Sequence, residues 1–501
     1  MSANRKTGRD HTVIDIIDDR EKSKKCIFRL PNVLRRQNPE AYTPDVVSIG
    51  PFHHYPEKRG KEEGKGVEEG KQGIGDADFQ LTKRMKTRYL NEILTRMKIT
   101  LEELTAKVSE LSDQKNEGGF EEQARNFYAE PCDHISSKEF IEMMIVDGCF
   151  LIQLFRKCDH SKFRASDDPV FDMDCMFHFL CHDILLLENQ LPWFVIHILY
   201  DLTHDIYPDE DSLSFLVLKA FSKLPSLKQG CSSYNKHLRN NCNFAADYLH
   251  ILDLVRASIV IPLRTIQERA HKAAGKESMA YPEEHEVDSG NKHKGNNEVV
   301  HEAIIDPDLH QIRTATALSN VGIKFKSVER DSIMDIRFGR SRGCFGHAIL
   351  MIPQLNIDLL SEPLFRNLIA IEQCYHGYSN EITSYAIFMD NLICSEEDMD
   401  LLRKEKVIGN WMSDEDGCKF FSNLYKGIRH NSFYYVELCR QLNCVYRLKE
   451  RLIGENTRRE LKYFSNPWKV FYLIVGFFLL QIVPTLLQTV LAIKQSLAVK
   501  L

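Results

Sequence analysis

Asp147 is the side chain whose chemistry the sequence makes most conspicuous. It stands between Val146 and Gly148 in FIEMMIVDGCFLIQLF, residues 140–155, a run otherwise rich in large apolar side chains. A carboxylate inside a buried helix must find a donor, because leaving it unpaired is strongly unfavourable. The expected partner is an arginine from the first ordered segment, making a structural ion pair rather than a general acid or base.

The other reactive residue types do not fall into working patterns. His53 and His54 are adjacent, so in a helix or strand they cannot share one face as metal ligands. They read as a turn-stabilising pair. The stretch GVEEGKQ, residues 66–72, approaches a phosphate loop, but it has three residues between the glycines where four are needed. Gln72 also stands where a serine or threonine must hold magnesium. No H-E-x-x-H pair occurs. The 14 cysteines include no C-x-x-C pair, so zinc ribbons and thioredoxin-like chemistry lack support, and the thiols read as small core residues. The expectation is a non-enzymatic protein with no catalytic, cofactor-binding or metal site. With a formal net charge of −6 and no basic stripe, nucleic acid is not an expected partner.

The elements that must position Asp147 are mainly helical. Residues 1–25 are polar and expected to be disordered, and a globular domain is expected over 26–463. Two polar inserts, 57–78 and 271–302, are too poor in large apolar residues to fold. Residues 81–111 carry Met85, Tyr89, Ile93 and Met97 at helical spacing and read as one long amphipathic helix. Ser136 and Glu139 form an S-x-x-E capping box that opens the buried helix of Asp147. Two further buried helices, 176–187 and 191–202, meet at a corner made by Glu188, Asn189 and Gln190, with Pro192 at the first turn of the second. The runs 322–328, 332–338 and 348–357 carry β-branched residues bounded by Gly or Pro. The fold class is therefore mainly α (α+β), a large helical body with a small antiparallel sheet.

Residues 470–493 read VFYLIVGFFLLQIVPTLLQTVLAI, twenty-four residues without a charge. A helix of that length spans roughly 36 Å, enough to cross a hydrocarbon core of about 30 Å. Lys469 and Lys494 bound it, and Trp468 and Tyr472 sit where an aromatic belt belongs. Arg447, Lys449, Arg451, Arg458, Arg459, Lys462 and Lys469 precede the run, whereas only Lys494 and Lys500 follow it. The positive-inside rule then puts the main domain in the cytoplasm, behind a single-pass anchor in the lipid bilayer of, by expectation, the plasma membrane. Residues 494–501 form a short tail. Gln481, Thr485 and Gln488 share one face of this helix and offer hydrogen bonds to a second copy, so a homo-oligomer is an expected partner beside an unknown protein.

Seven stretches, in order, carry a resemblance: AYTPDVVSIGPFHH (41–54), FIEMMIVDGCFLIQLF (140–155), DILLLENQLPWFV (183–195), IRTATALSNVGIKFK (312–326), IPQLNIDLLSEPLFRNLIAIEQC (352–374), ITSYAIFMDNLI (382–393) and YFSNPWKVF (463–471). Together they resemble the plant domain-of-unknown-function 247 family, also called UPF0481, over nearly the whole chain from Cys26. The two inserts are longer or more charged than in typical members, and Gln153 stands where the family often has Glu. The resemblance implies a plant membrane-anchored recognition or signalling protein without established enzymatic activity. Members in grasses are linked to self-incompatibility as candidate pollen-side determinants. The alternatives implied are a membrane-associated enzyme of unknown type and a general developmental or stress adaptor.

Overall fold

The computed structural model describes residues 25–54, 76–115, 119–173, 175–207, 210–240, 248–277, 311–340, 347–409, 413–428 and 432–452, with separate positions between 471 and 490. The expected disorder of the first residues, nearly all of the first insert with its phosphate-loop-like stretch, and residues 278–302 of the second lie outside these.

The helices are α1 (Asn32–Arg35), α2 (Asp76–Met97), α3 (Leu101–Lys115), α4 (Phe120–Asn126), α5 (Ser137–Asp159), α6 (Met176–Ile184), α7 (Trp193–His204), α8 (Leu213–Phe221), α9 (Lys228–Asn240) and α10 (Ile251–Glu277). After α11 (Ala315–Asn320) come strands β1 (Lys324–Val328), β2 (Arg337–Arg340) and β3 (Ala348–Pro353). The chain continues through α12 (Ser361–Cys374), α13 (Glu381–Leu392), α14 (Glu396–Lys404), α15 (Asp414–Leu424) and α16 (Val436–Leu452).

Helix α5 is the axis of the body. It is apolar on most faces, and α2, α7 and α8 pack against it. Ser136 caps it as expected, accepting the Glu139 N–H at 3.4 Å. The Glu139 side chain does not fold back to complete the box; it reaches His54 at 3.1 Å instead. The buried apolar side chains form one continuous cluster from Cys26 to Tyr446.

The structure departs from the expected elements where local signals compete. The long helix over 81–111 is two helices, broken at Lys98, whose φ is +55°. Thr100 and Glu103 start the second with a reciprocal cap: the Glu103 N–H donates to Thr100 Oγ1 at 3.2 Å and the Thr100 N–H to Glu103 Oε2 at 2.8 Å. Helix α10 runs on through the first residues of the second expected insert. The small sheet is mixed, not antiparallel: β3 is central, parallel to β1 and antiparallel to β2. The chain between β1 and β3 is long enough to return to the same end, as a parallel pair requires. Part of that return was expected to be strand. Ile333 and Met334 are instead both buried, so residues 332–336 make a packed turn rather than an alternating strand. Ser332 ties this turn to Ile259 O at 2.6 Å.

Among the described residues no helix is long and apolar enough to cross a membrane. The described positions between 471 and 490 are all helical, and Phe477, Phe478 and Leu480 are exposed there. Of the polar stripe, Gln481 and Thr485 lie outside the described residues; Gln488 is helical and exposed.

Candidate functional site

Two polar regions stand out, and their chemistry differs. The first is a buried clasp on the extended residues 45–50. Asp183, at the end of α6, accepts the N–H groups of Asp45, Val46 and Val47 at 2.8, 2.7 and 2.6 Å. Asn189 accepts the Ile49 N–H at 2.6 Å and donates to Val47 O at 2.9 Å. Asp147 accepts the Gly50 N–H at 2.9 Å. Gln190 donates to Ile184 O and Leu186 O and accepts the Leu252 N–H at 3.1 Å. Glu188 accepts the Leu30 N–H and pairs with Arg35, and His53 lies 3.4 Å away. Asn367 of α12 spans Leu187 N–H and Ala41 O. An extended segment buried without a sheet partner has no backbone neighbour to satisfy it, so side chains must do so.

Asp147 is buried as expected, but its cation is Lys86 of α2 at 2.5 Å rather than an arginine of the first segment. The side-by-side packing of α2 on α5 delivers that lysine, while the first segment contributes a backbone N–H. Gln153 is not exposed to chemistry either: it accepts from Tyr207 at 3.1 Å and donates to Glu92 at 3.0 Å. His53 and His54 turn to two different carboxylates, Glu188 and Glu139. Burial pushes the Cys149 and Cys158 thiols up to about 12, as inert core residues require.

One trio in the clasp, Asp45, His182 and Asp183, has ligand atoms within 4.8 Å of one another. Both Asp183 oxygens already accept backbone N–H groups, and His182 Nδ1 lies 2.8 Å from one of them. Those hydrogens occupy the lone pairs a cation would need, so the trio reads as a backbone cap and not as a metal centre.

The second region is an open groove along α2, enclosing about 1080 Å³ and walled on the far side by residues 163–165. Two parallel stripes of α2 line it. Lys83, Thr87, Asn91 and Thr95 form one, and Arg84, Arg88, Glu92 and Arg96 the other, each at four-residue spacing. Arg88 pairs with Asp167 at 2.7 Å. Arg164 donates to Lys157 O at 2.7 Å and lies over the Phe171 ring. Arg96 sits 5.0 Å from the ring centres of both Phe163 and Tyr207.

Glu92 connects this groove to the interior. It meets fully buried Lys157 at 2.8 Å, and Lys157 also pairs with buried Asp168 at 2.6 Å. Tyr89 donates to Asp168 at 2.8 Å; burial, with Asp168 beside it, pushes the Tyr89 hydroxyl well up, so it remains a donor. Beside Lys157 in α5, buried Arg156 binds Glu210 through two nitrogens and Thr203 through one of them. The groove thus has a rigid ionic floor under an exposed cationic rim.

Sequence reasoning named Asp147 and the Glu188–Gln190 corner but missed the groove. The four-residue spacing of cations and small polar residues in TKRMKTRYLNEILTRM was visible; the wall at Phe163 was not, because it arrives from a distant loop.

These features define a mainly helical α+β body with a side-chain-capped extended segment at its centre. The chain belongs to the DUF247 family, described as a plant protein of unknown function, whose model matches residues 27–482. It is 29% identical over 418 residues to a UPF0481 protein of Arabidopsis thaliana, covering 82% of this chain and 75% of that one. A putative UPF0481 protein of the same plant is 21% identical over 467 residues, covering 82% of this chain and 80% of that one. No solved structure matches.

Proposed function

We propose that this protein is a non-enzymatic recognition protein, tethered to a membrane by residues 470–493, with the α2 groove as its binding face. The carrying observation is the groove's lining among the described residues: cations, small neutral hydrogen-bonding groups and one carboxylate, Glu92, already paired with Lys157, with no Ser, Cys or His among them. Thr87, a hydroxyl in it, already donates to Lys83 O at 2.9 Å. Such a surface attracts and orients an anion but has no nucleophile–base pair for covalent chemistry.

The tether has its own support. Leu480 is 77% exposed and Phe477 61% exposed on an apolar helical stretch. Burying each such side chain is favourable by about 1.5–3 kcal/mol, so lipid is a fitting surrounding. Gln488 and its stripe would then face a second copy within the bilayer. In its specific form the proposal extends to the pollen side of grass self-incompatibility, on the family resemblance alone. Fractionation of the full chain against one lacking residues 470–501 tests the tether; the shortened chain should leave the membrane without unfolding. Proximity labelling in pollen, with wild type and an Arg84→Glu/Arg96→Glu double variant, tests the binding face. An unchanged labelled set would remove the groove from recognition.

A further inference from the structure

Building on the reading of the groove as the binding face, we infer that its ligand is a phosphorylated polyol, either free or as the headgroup of a lipid. Five cations line the groove, Lys83, Arg84, Arg88, Arg96 and Arg164, against the single carboxylate of Glu92. That carboxylate is already engaged by Lys157 at 2.8 Å and Gln153 at 3.0 Å. Arg96 and Arg164, whose contacts here are rings and carbonyls, carry the positive charge that faces outward.

The cations are predominantly arginines, whose planar fork matches phosphate oxygens two at a time. Two of them are held by contacts that leave them charge to give. Arg96 is oriented by the Phe163 and Tyr207 rings and has no carboxylate partner among the described residues. Arg164 is held by backbone carbonyls and the Phe171 ring, again without an acid. Arg88 has Asp167, but that aspartate side chain is 77% exposed, and so solvated a pair is readily exchanged for a phosphate.

The neighbouring stripe completes the match. Thr87, Asn91 and Thr95 offer neutral hydrogen-bonding groups beside the cations, which suits the hydroxyls of a polyol carrying several phosphates. An acidic or phosphorylated peptide fits less well. Arginine clusters also read phosphopeptides, but the side chains flanking the phosphate need apolar pockets, and only Phe163 and Ala165 in the lining are apolar.

The test is calorimetric titration of the detergent-solubilised full chain at about 0.15 M salt, where long-range attraction between exposed charges is screened. The probes are inositol hexakisphosphate, a soluble short-chain phosphatylinositol bisphosphate and a doubly phosphorylated peptide. Binding of either inositol probe, weakened about tenfold by Arg96→Ala and again by Arg84→Ala, supports the inference, since a hydrogen bond to a charged group is worth that much. Lys404→Ala, an exposed charge on α14, should change nothing, and Arg96→Lys should not restore affinity, because lysine cannot stack as a planar fork. Tighter binding of the lipid probe assigns the lipid source; tighter binding of the free compound assigns the soluble one. Binding of neither inositol probe, an equal loss with Lys404→Ala, or preference for the peptide overturns the inference. If the probes fail while the Arg84→Glu/Arg96→Glu variant still loses its labelled partners, the ligand class falls and the binding face stands. Thermal melting of each variant keeps a folding defect from imitating lost affinity.

Discussion

The clasp and the groove use the same kinds of side chain for opposite ends. In the clasp, Asp183, Asn189, Gln190 and Asp147 are buried and each bonds backbone atoms, Asp147 also pairing with Lys86 and Asp183 with His182. In the groove, Arg84, Arg88 and Arg96 stand on the solvent face of one helix, with rings and an exposed aspartate as the neighbours of two of them. The stretches by which the chain resembles its family supply most of the clasp, whereas none of them includes α2. Polar side chains inside such stretches can therefore belong to the scaffold, and binding chemistry can sit on an element outside them. The two regions should break in opposite ways when their side chains are removed.

The largest effect is expected at Asp183. Asp183→Ala strands three backbone N–H groups and should lower unfolding free energy by about 4 kcal/mol in a denaturant titration. A loss below about 1 kcal/mol would mean that residues 45–50 are not integral to the fold.

Asp147→Leu comes next. It leaves Lys86 and the Gly50 N–H without their carboxylate, and about 3 kcal/mol should be lost. A melting temperature within a degree of wild type would show that Lys86 rehydrates freely.

A second interior cluster sharpens the contrast through pH. Burial raises Glu372 from 4.5 to about 7, against the pull of Arg256 and of the Ile382 and Thr383 N–H groups. Between those two pH values the unfolded chain has released a proton that the folded chain keeps. Stability from this group therefore falls as pH rises from 4.5 towards 7, and Glu372→Gln, which never ionises, escapes that fall. Across this window the stability difference should move by up to about 3 kcal/mol in favour of the glutamine variant. A difference that stays flat with pH would place the ionisation of Glu372 elsewhere.

Gly50→Ala should cost about 2 kcal/mol. Gly50 has φ +70°, and an added Cβ would lie 2.8 Å from Gln190 O, a backbone atom that cannot swing away. Equal melting curves for the two proteins would show that the clasp tolerates a shift there.

The smallest effect belongs to the groove: Arg96→Ala should change stability by less than about 0.5 kcal/mol. A loss of several degrees in melting temperature would make Arg96 part of the scaffold and erase the contrast.

How much of this was legible depended on the range of the interaction. Local signals worked for helices: Ser136 caps α5, and Pro192 opens α7. The T-x-x-E cap that divides 81–111 was also local, yet continuous amphipathic spacing across it concealed the break. Sheet topology was not legible, since strand order depends on which edge a returning chain meets. The sequence by itself determined that the body is mainly helical, that Asp147 would need a partner, and that residues 470–493 carry no charge, because composition and periodicity are properties of neighbours along the chain. Only the tertiary structure decided that Lys86 is that partner, that the Glu188–Gln190 corner binds a segment about 140 residues earlier, and that α2 and Phe163 enclose a groove. Each of these joins residues far apart in sequence, and no local preference specifies which distant surface will arrive.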